Sequence, residues 1–428
     1  MTTGSGHDQP REGASSLGAS SPGAGDQSVA VVSDRDMDAA GRRSTARSSL
    51  RGRPALYTDY ARDQAIWNTN AKRVWTLVLV VVALLVPFQI MPVIGASLGT
   101  PNMVNLLTTV AIFAIGGIGL NLVTGYAGQV SLGHAFFLAI GAYTAAILGG
   151  SPDRGLVGYE LDVWIWLPLA GLVPMVIGLI VAPLAARVRG LYLAILTLGL
   201  VMVGEHVFKE ARPLTGGAGV GRAAARPRIG EWDLFSRQTL FGFEFRRGDL
   251  FYLLCVVLLI VLGILARNLA RSRQGRAFAA VRDRDIAAEV MGVPLLRTKV
   301  VAFGVSSFYA GIAGALLATS IGHVTAERWN LFLSIDFLAV ILIGGVATIS
   351  GSIMGAAFVV LLPRGVELFA PHMPFVGGVG SGAFMTTFQL QRILFGLLIV
   401  GFLVLEPRGL FGLWLRVRNY FKAWPFSY

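Results

Sequence analysis

Charge is scarce in this chain. Only 14% of its 428 residues are Asp, Glu, Lys or Arg, against about 25% in a typical soluble domain. With 54% hydrophobic residues and a mean hydropathy of +0.65, a soluble globule is excluded. Cysteine is nearly absent. The single Cys255 lies inside an apolar run, so an intrachain disulfide and a cysteine-based metal cluster are both ruled out. It reads as a small buried hydrophobe. Lysine is rare too. Lys72, Lys209, Lys299 and Lys422 are the only ones, and none follows a glycine. A phosphate-cradling GxxxxGKS/T loop needs that pair. This nucleotide site is therefore missing, and an ATPase that drives the protein must be another chain. The histidines (His7, His134, His206, His323 and His372) are scattered, with no HExxH and no paired carboxylates in a span. Nothing here assembles a catalytic centre or a cofactor site, so the chain reads as a non-enzyme.

Long apolar runs are what the chain has in abundance. They fall at about 74–93, 103–123, 134–149, 164–186, 191–208, 250–266, 300–321, 333–346, 353–369 and 388–405. Runs near 20 residues are the length of a membrane-spanning helix. The expected fold is all-α and polytopic, with about ten membrane segments. The two runs near 333–369 are short, which suits a tight pair as well as two full spans. Residues 1–56 are rich in Gly, Ser, Ala, Asp and Arg and lack the apolar content to fold alone. Residues 57–74 mix aromatics with charge and read as an interfacial lead-in. The membrane domain spans 75–415, and 416–428 is a short tail.

The net charge of +12 follows the positive-inside rule more simply than it follows nucleic acid. With the N-terminus inside, the inner loops hold Arg187, Arg189, the stretch 267–299 and the tail. That stretch has eight basic residues (Arg267, Arg271, Arg273, Arg276, Arg282, Arg284, Arg297, Lys299) against Asp283, Asp285 and Glu289. Outer loops 150–163 and 322–332 hold one basic residue each, Arg154 and Arg328. Loop 209–249 disagrees, with eight basic and five acidic residues. Long loops obey the rule poorly. Both termini are expected in the cytoplasm, in a bacterial-type inner membrane.

One stretch organises the rest: GLNLVTGYAGQVSLGHAFFLAIGAY at 119–143. Its centre is polar and small. Irregular backbone survives in a membrane only where protein or a water-filled cavity satisfies its N–H and C=O groups. Gly125, Gly128, Gln129, Ser131, Gly133 and His134 are thus candidates for a translocation path. A plain wetted turn is the rival reading. The six-residue spacing of Gly125 and Ser131 recurs in Gly344 and Ser350. This echo fits a duplicated unit or chance among Gly-rich turns.

The ionisable groups within spans include Glu205 and His206, Asp336, and Arg392. Each could mark function or sit at an interface. In the 267–299 stretch, Ala, Arg and Glu through Met291 favour a helix that stops at Gly292, Val293 and Pro294. A short helix at the membrane face suits docking of a cytoplasmic partner. A solvated basic loop that only fixes topology is the alternative.

The long motifs resemble the branched-chain amino-acid ABC-transporter permeases of the LivH/LivM kind. The likeness runs through 119–143, RGLYLAILTLGL beginning at Arg189, LTGGAGVG at 214–221, GRAFAAVRDRDIAAEVMGV at 275–293, the 344–355 stretch and LEPRGLFG at 405–412. It covers roughly residues 75–415. Arg189, Gly190, Leu191 and Tyr192 and the Leu-Thr-Gly-Gly loop favour the M-type subunit. The resemblance implies an inner-membrane permease in lipid, paired with an H-type permease. Two ATPase subunits that bind the ATP and an extracytoplasmic binding protein would complete the complex. Its ATPase-docking motif maps onto Ala287, Ala288 and Gly292, with Arg282 and Asp283 just before them. Ile286 stands where many importers have glutamate. Rival readings are a urea or short-amide importer of the same kind, an ion-coupled secondary transporter using Asp336, Glu205 or Arg392, and a membrane enzyme.

Overall fold

The computed structural model describes residues 70–86, 101–152, 156–188, 190–240, 243–369, 376–377, 385–406 and 408–423. The tail 1–56, most of the lead-in 57–74, Arg189 and the last residues of 416–428 lie outside the described residues.

Apolar runs become helices because lipid offers the backbone no hydrogen bonds. In chain order the helices are α1 (Asn70–Leu85), α2 (Pro101–Leu120), α3 (His134–Gly149), α4 (Val163–Arg187), α5 (Leu191–Glu210) and α6 (Asp249–Arg271). Then come α7 (Arg273–Asp283), α8 (Asp285–Val290), α9 (Leu295–Ile321), α10 (Leu331–Gly344), α11 (Ile349–Phe369), α12 (Thr387–Leu405) and α13 (Gly409–Ala423). The strands have two or three residues each, so the class is all-α.

The expected count of about ten membrane segments is not confirmed. Among the described residues, six helices are long and apolar enough to cross a membrane. The number is seven if α12 and α13, bent by 51° at a short break, form one span. The other expected runs are helical where described, but α3 and α10 have only 16 and 14 residues. At about 1.5 Å per residue they fall short of a hydrocarbon core about 30 Å thick.

Two helices form the centre. In α2 and α9, 72% and 78% of the membrane window is buried, against 28–39% in α4, α5, α6 and α11. α9 packs on α4, α3 and α2, and α2 packs on α11, α6 and α10. The α3–α9 crossing is set by glycine. A Cβ on Gly141 would collide with the backbone of Gly311, and one on Gly314 with the backbone of Leu138. Small residues of this kind let helix backbones meet in a membrane.

The helices alternate between two ends. At one end, the strands Arg222–Ala223 and His323–Val324 pair antiparallel beside two short hairpins. Buried Arg222 ties this end together, donating from Nη1 to the Leu214 carbonyl (2.7 Å) and from Nη2 to that of Val157 (2.8 Å). Lys209 pairs with Glu205 at 2.7 Å. Arg222 and Lys209, two of the eight basic residues of loop 209–249, thus have a structural use. The opposite end holds α7 and α8, the turn after α2 and the turn after α10.

Candidate functional site

The 121–134 break begins as a wide turn. Residues Asn121–Tyr126 are π-helical, and a π-turn inside an α-helix frequently marks a functional position. Ala127 N–H reaches back to the Leu122 carbonyl (3.2 Å) and Gln129 N–H to that of Val123 (2.9 Å). Gly128 then takes φ +69°, in the left-handed region that favours glycine. From there the chain turns back into the bundle, and α3 starts inside it.

Side chains satisfy this irregular backbone. Thr124 Oγ1 donates to the Gln129 carbonyl (3.1 Å), and Gln129 Nε2 donates to that of Lys299 (3.3 Å). Thr197 Oγ1 accepts from Leu132 N–H (2.9 Å), and Ser131 Oγ from Gly133 N–H (3.2 Å). Ser334 Oγ accepts from Ala135 N–H (2.9 Å) in the first turn of α3. Protein, not bulk water, meets the demand for partners.

The candidate path residues are therefore mostly interior. Gln129, Ser131 and His134 are 5%, 4% and 2% exposed, and Gly125 and Gly133 are buried. Gly128 is open to the surface, beside Val130. The His134 ring lies edge-on to Phe337, 5.1 Å between centroids, and Phe337 stacks on Phe113 at 4.7 Å. His134 Nε2 is buried without a hydrogen-bond partner.

Asn121, Thr197, Ser334 and Ser352 are the site residues that sequence reasoning missed. Asn121 is 1% exposed. Its Oδ1 accepts from Ala347 N–H (2.8 Å). Its Nδ2 donates to the Thr348 carbonyl (3.0 Å) and to Ser352 Oγ (2.8 Å). A signal existed for it, since Asn121 is the first polar side chain of the organising stretch. Thr197, Ser334 and Ser352 sit in apolar helices without local distinction.

The 267–299 stretch differs from its expectation in one respect. It holds two short helices, not one, because Arg284 is extended (φ −155°, ψ 99°) between α7 and α8. Ser272 caps α7 by accepting from Gln274 N–H and Gly275 N–H. The stop falls where expected, with Gly292 at φ +82°. Arg282 Nη1 donates to the Gly125 carbonyl (3.1 Å), while its Nε donates to Asp283 Oδ1 (3.1 Å). Arg282, Asp283, Ala287 and Gly292 are exposed. Ala288 is not; it packs inward at 5% exposure. The outward apolar tip consists of Ile286, Val290 and Met291, at 66%, 82% and 83%.

Two of the ionisable span residues have partners away from the break. Glu205 is held by Lys209. Arg392 lies 5.7 Å over the Phe332 ring. Among the described residues no three His, Cys, Asp or Glu side chains come together as a metal site would need.

Residues 102–403 match the family described as "Branched-chain amino acid transport system / permease component". The chain belongs to this family. The matched region holds Asn121, the 121–134 break, α7, α8 and the turn after α10. The permease is 33% identical over 358 residues to the high-affinity branched-chain amino acid transport system permease protein LivM of Salmonella typhimurium, covering 80% of this chain and 76% of that one. It is 34% identical over 309 residues to LivM of Escherichia coli, covering 69% and 67%. A probable LivH of Methanocaldococcus jannaschii is 25% identical over 293 residues, covering 66% and 83%. No solved structure matches the chain. The permease is thus a multi-pass membrane protein of a branched-chain amino-acid ABC transport system, of the LivM type.

Proposed function

We propose that this permease is the M-type membrane subunit of an ATP-driven importer for branched-chain amino acids. It pairs with an H-type permease and receives substrate from an extracytoplasmic binding protein. Two ATPase subunits in trans bind the ATP; the chain itself carries no cofactor and performs no catalysis. The protein sits in the inner membrane with both termini and α7–α8 in the cytoplasm. The 121–134 break packs beside the translocation path, with Gly128 at its surface.

The observation that carries the ATPase reading is the apolar tip of α8. Ile286 and Val290 of this short helix and Met291 just after it stand out at the bundle's basic end. Large apolar side chains clustered in water mark a protein-interaction site. The chain has no glycine–lysine pair with which to hold phosphates itself. Purification of the complex should bring down two kinds of permease and an ATPase. Val290→Asp with Met291→Asp should leave the permease in the membrane but release the ATPase. A double variant that retains the ATPase and full transport would reject this docking site.

A further inference from the structure

Asn121 spends its whole amide on one turn and the start of the helix that follows it. Besides the three bonds described, Nδ2 also points at the Gly345 carbonyl at 3.4 Å. The turn it grips joins α10 to α11 and has costly backbone. Gly345 is at φ +128°, and Ala347, a residue with a Cβ, is at φ +59°. A non-glycine residue in that region persists where its surroundings hold it. Asn121 Oδ1 holds the Ala347 amide itself. The contact is close along its length, since a Cβ on Gly125 would lie 2.6 Å from Ala347 N. On the other flank, a Cβ on Gly409 would lie 2.7 Å from Gly345 N. The same π-turn is tied to α7, because the Gly125 carbonyl accepts from Arg282 Nη1 at 3.1 Å.

We propose that Asn121 is a positioning residue for transport: it joins the π-turn of α2 and the α10–α11 turn into one body, tied to α7 through Gly125 and Arg282. Displacement of α7 by a partner then carries α2, α10 and α11 together. Asn121 touches no substrate in this role. The proposal rests on the reading of α7–α8 as the docking element. It adds that force applied there leaves by way of an amide side chain buried in the bundle.

Two variants of the full complex in reconstituted vesicles test this. Asn121→Ala should still co-purify with the ATPase, but uptake per ATP hydrolysed should fall by about tenfold, within the range typical of coupling between sites. A structural defect alone would lower uptake and hydrolysis together. The second variant fixes α2 to α11. The Cβ of a residue at 117 would lie 3.9 Å from Ser352 Cβ, inside the disulfide window of about 3.5–4.5 Å. Gly117→Cys with Ser352→Cys needs Val340→Ala, since Val340 Cγ1 would stand 2.7 Å from the new Cβ, and Cys255→Ala removes the native thiol. If α2 and α11 move as one, the oxidised and reduced forms should take up substrate at the same rate. Unchanged uptake per ATP in Asn121→Ala would overturn the proposal. So would loss of uptake on oxidation that a reductant restores, because the helices would then have to part. Should Asn121→Ala not accumulate in the membrane, the cross-linked variant decides. Failure of the docking reading itself shows separately, as retained ATPase and transport in the Val290→Asp, Met291→Asp variant.

Discussion

Replacing Gly141 by alanine adds one carbon to the most constricted crossing in the bundle. The added Cβ would overlap the Gly311 carbonyl oxygen and Cα and stand 2.6 Å from its carbonyl carbon. Ordinary contact begins near 3.4 Å, so α3 and α9 must part by several tenths of an ångström or more. The obstructing atoms are backbone, which cannot rotate away as a side chain could. Nor can α9 retreat, because a Cβ at Gly311 would already stand 2.6 Å from Pro174 Cγ and would overlap Ala170 on α4. Overpacking of this kind costs about 1–3 kcal/mol. At about 2.1 cal/mol/K of unfolding entropy per residue, a chain of 428 residues shifts by about 1 °C per kcal/mol, so the purified permease should lose about 1–3 °C of thermal midpoint. Gly263→Ala on α6 is the control. A Cβ there meets nothing within 4 Å, and alanine favours a helix over glycine by about 0.8–1.0 kcal/mol. That variant should be neutral or slightly more stable. Fluorescence-monitored melting of both variants in the same detergent checks the pair. Equal midpoints for Gly141→Ala, Gly263→Ala and the unaltered protein would refute the packing argument.

Gly128→Leu should leave insertion intact and abolish uptake, because the position is held at φ +69° and its Cβ would meet Arg282 Cγ at 2.8 Å; transport assays on membranes with equal permease content decide it. In a Cys255→Ala background, Arg328→Cys should react with an impermeant thiol reagent applied to intact cells, and Glu289→Cys should not; labelling of the latter would reverse the orientation. Glu327 accepts from Gly219 N–H at 3.0 Å, and hydrogen bonds from its own backbone amide and then from Gly219 hold its carboxyl below the usual 4.5. The folded group is the stronger acid, so its support of the strand end is complete above that unfolded value and lost as pH falls below the depressed folded one. Hydrogen exchange around Gly219 should therefore separate the unaltered protein from Glu327→Gln near neutral pH and show no difference in strong acid. A difference that persists unchanged in acid would remove the carboxylate from the explanation.

The membrane class, the positions of the helices and the family were legible in the sequence, for a physical reason. Lipid demands long apolar runs with internally bonded backbone, and that demand shows in composition residue by residue. The stop at Gly292 was legible from local chemistry too, whereas the division of the run before it into α7 and α8 at Arg284 was not. What local chemistry could not state is where a polar side chain finds its partner. Asn121 meets Ala347 and Ser352 more than two hundred residues away, and Ser334 caps a helix one hundred and ninety-nine residues before it. The family resemblance assigns Ala288 to a docking motif, yet tertiary packing turns it inward and leaves Ile286, Val290 and Met291 outside. The span count depends on the same level. Apolarity alone marks α3 and α10 as membrane segments, while the partners at their ends, Ser334 for the first turn of α3 and Asn121 for the turn after α10, come from the closed bundle. A helix in lipid can stop inside the membrane only where neighbours accept its unpaired backbone groups, and those neighbours exist only once the bundle has closed.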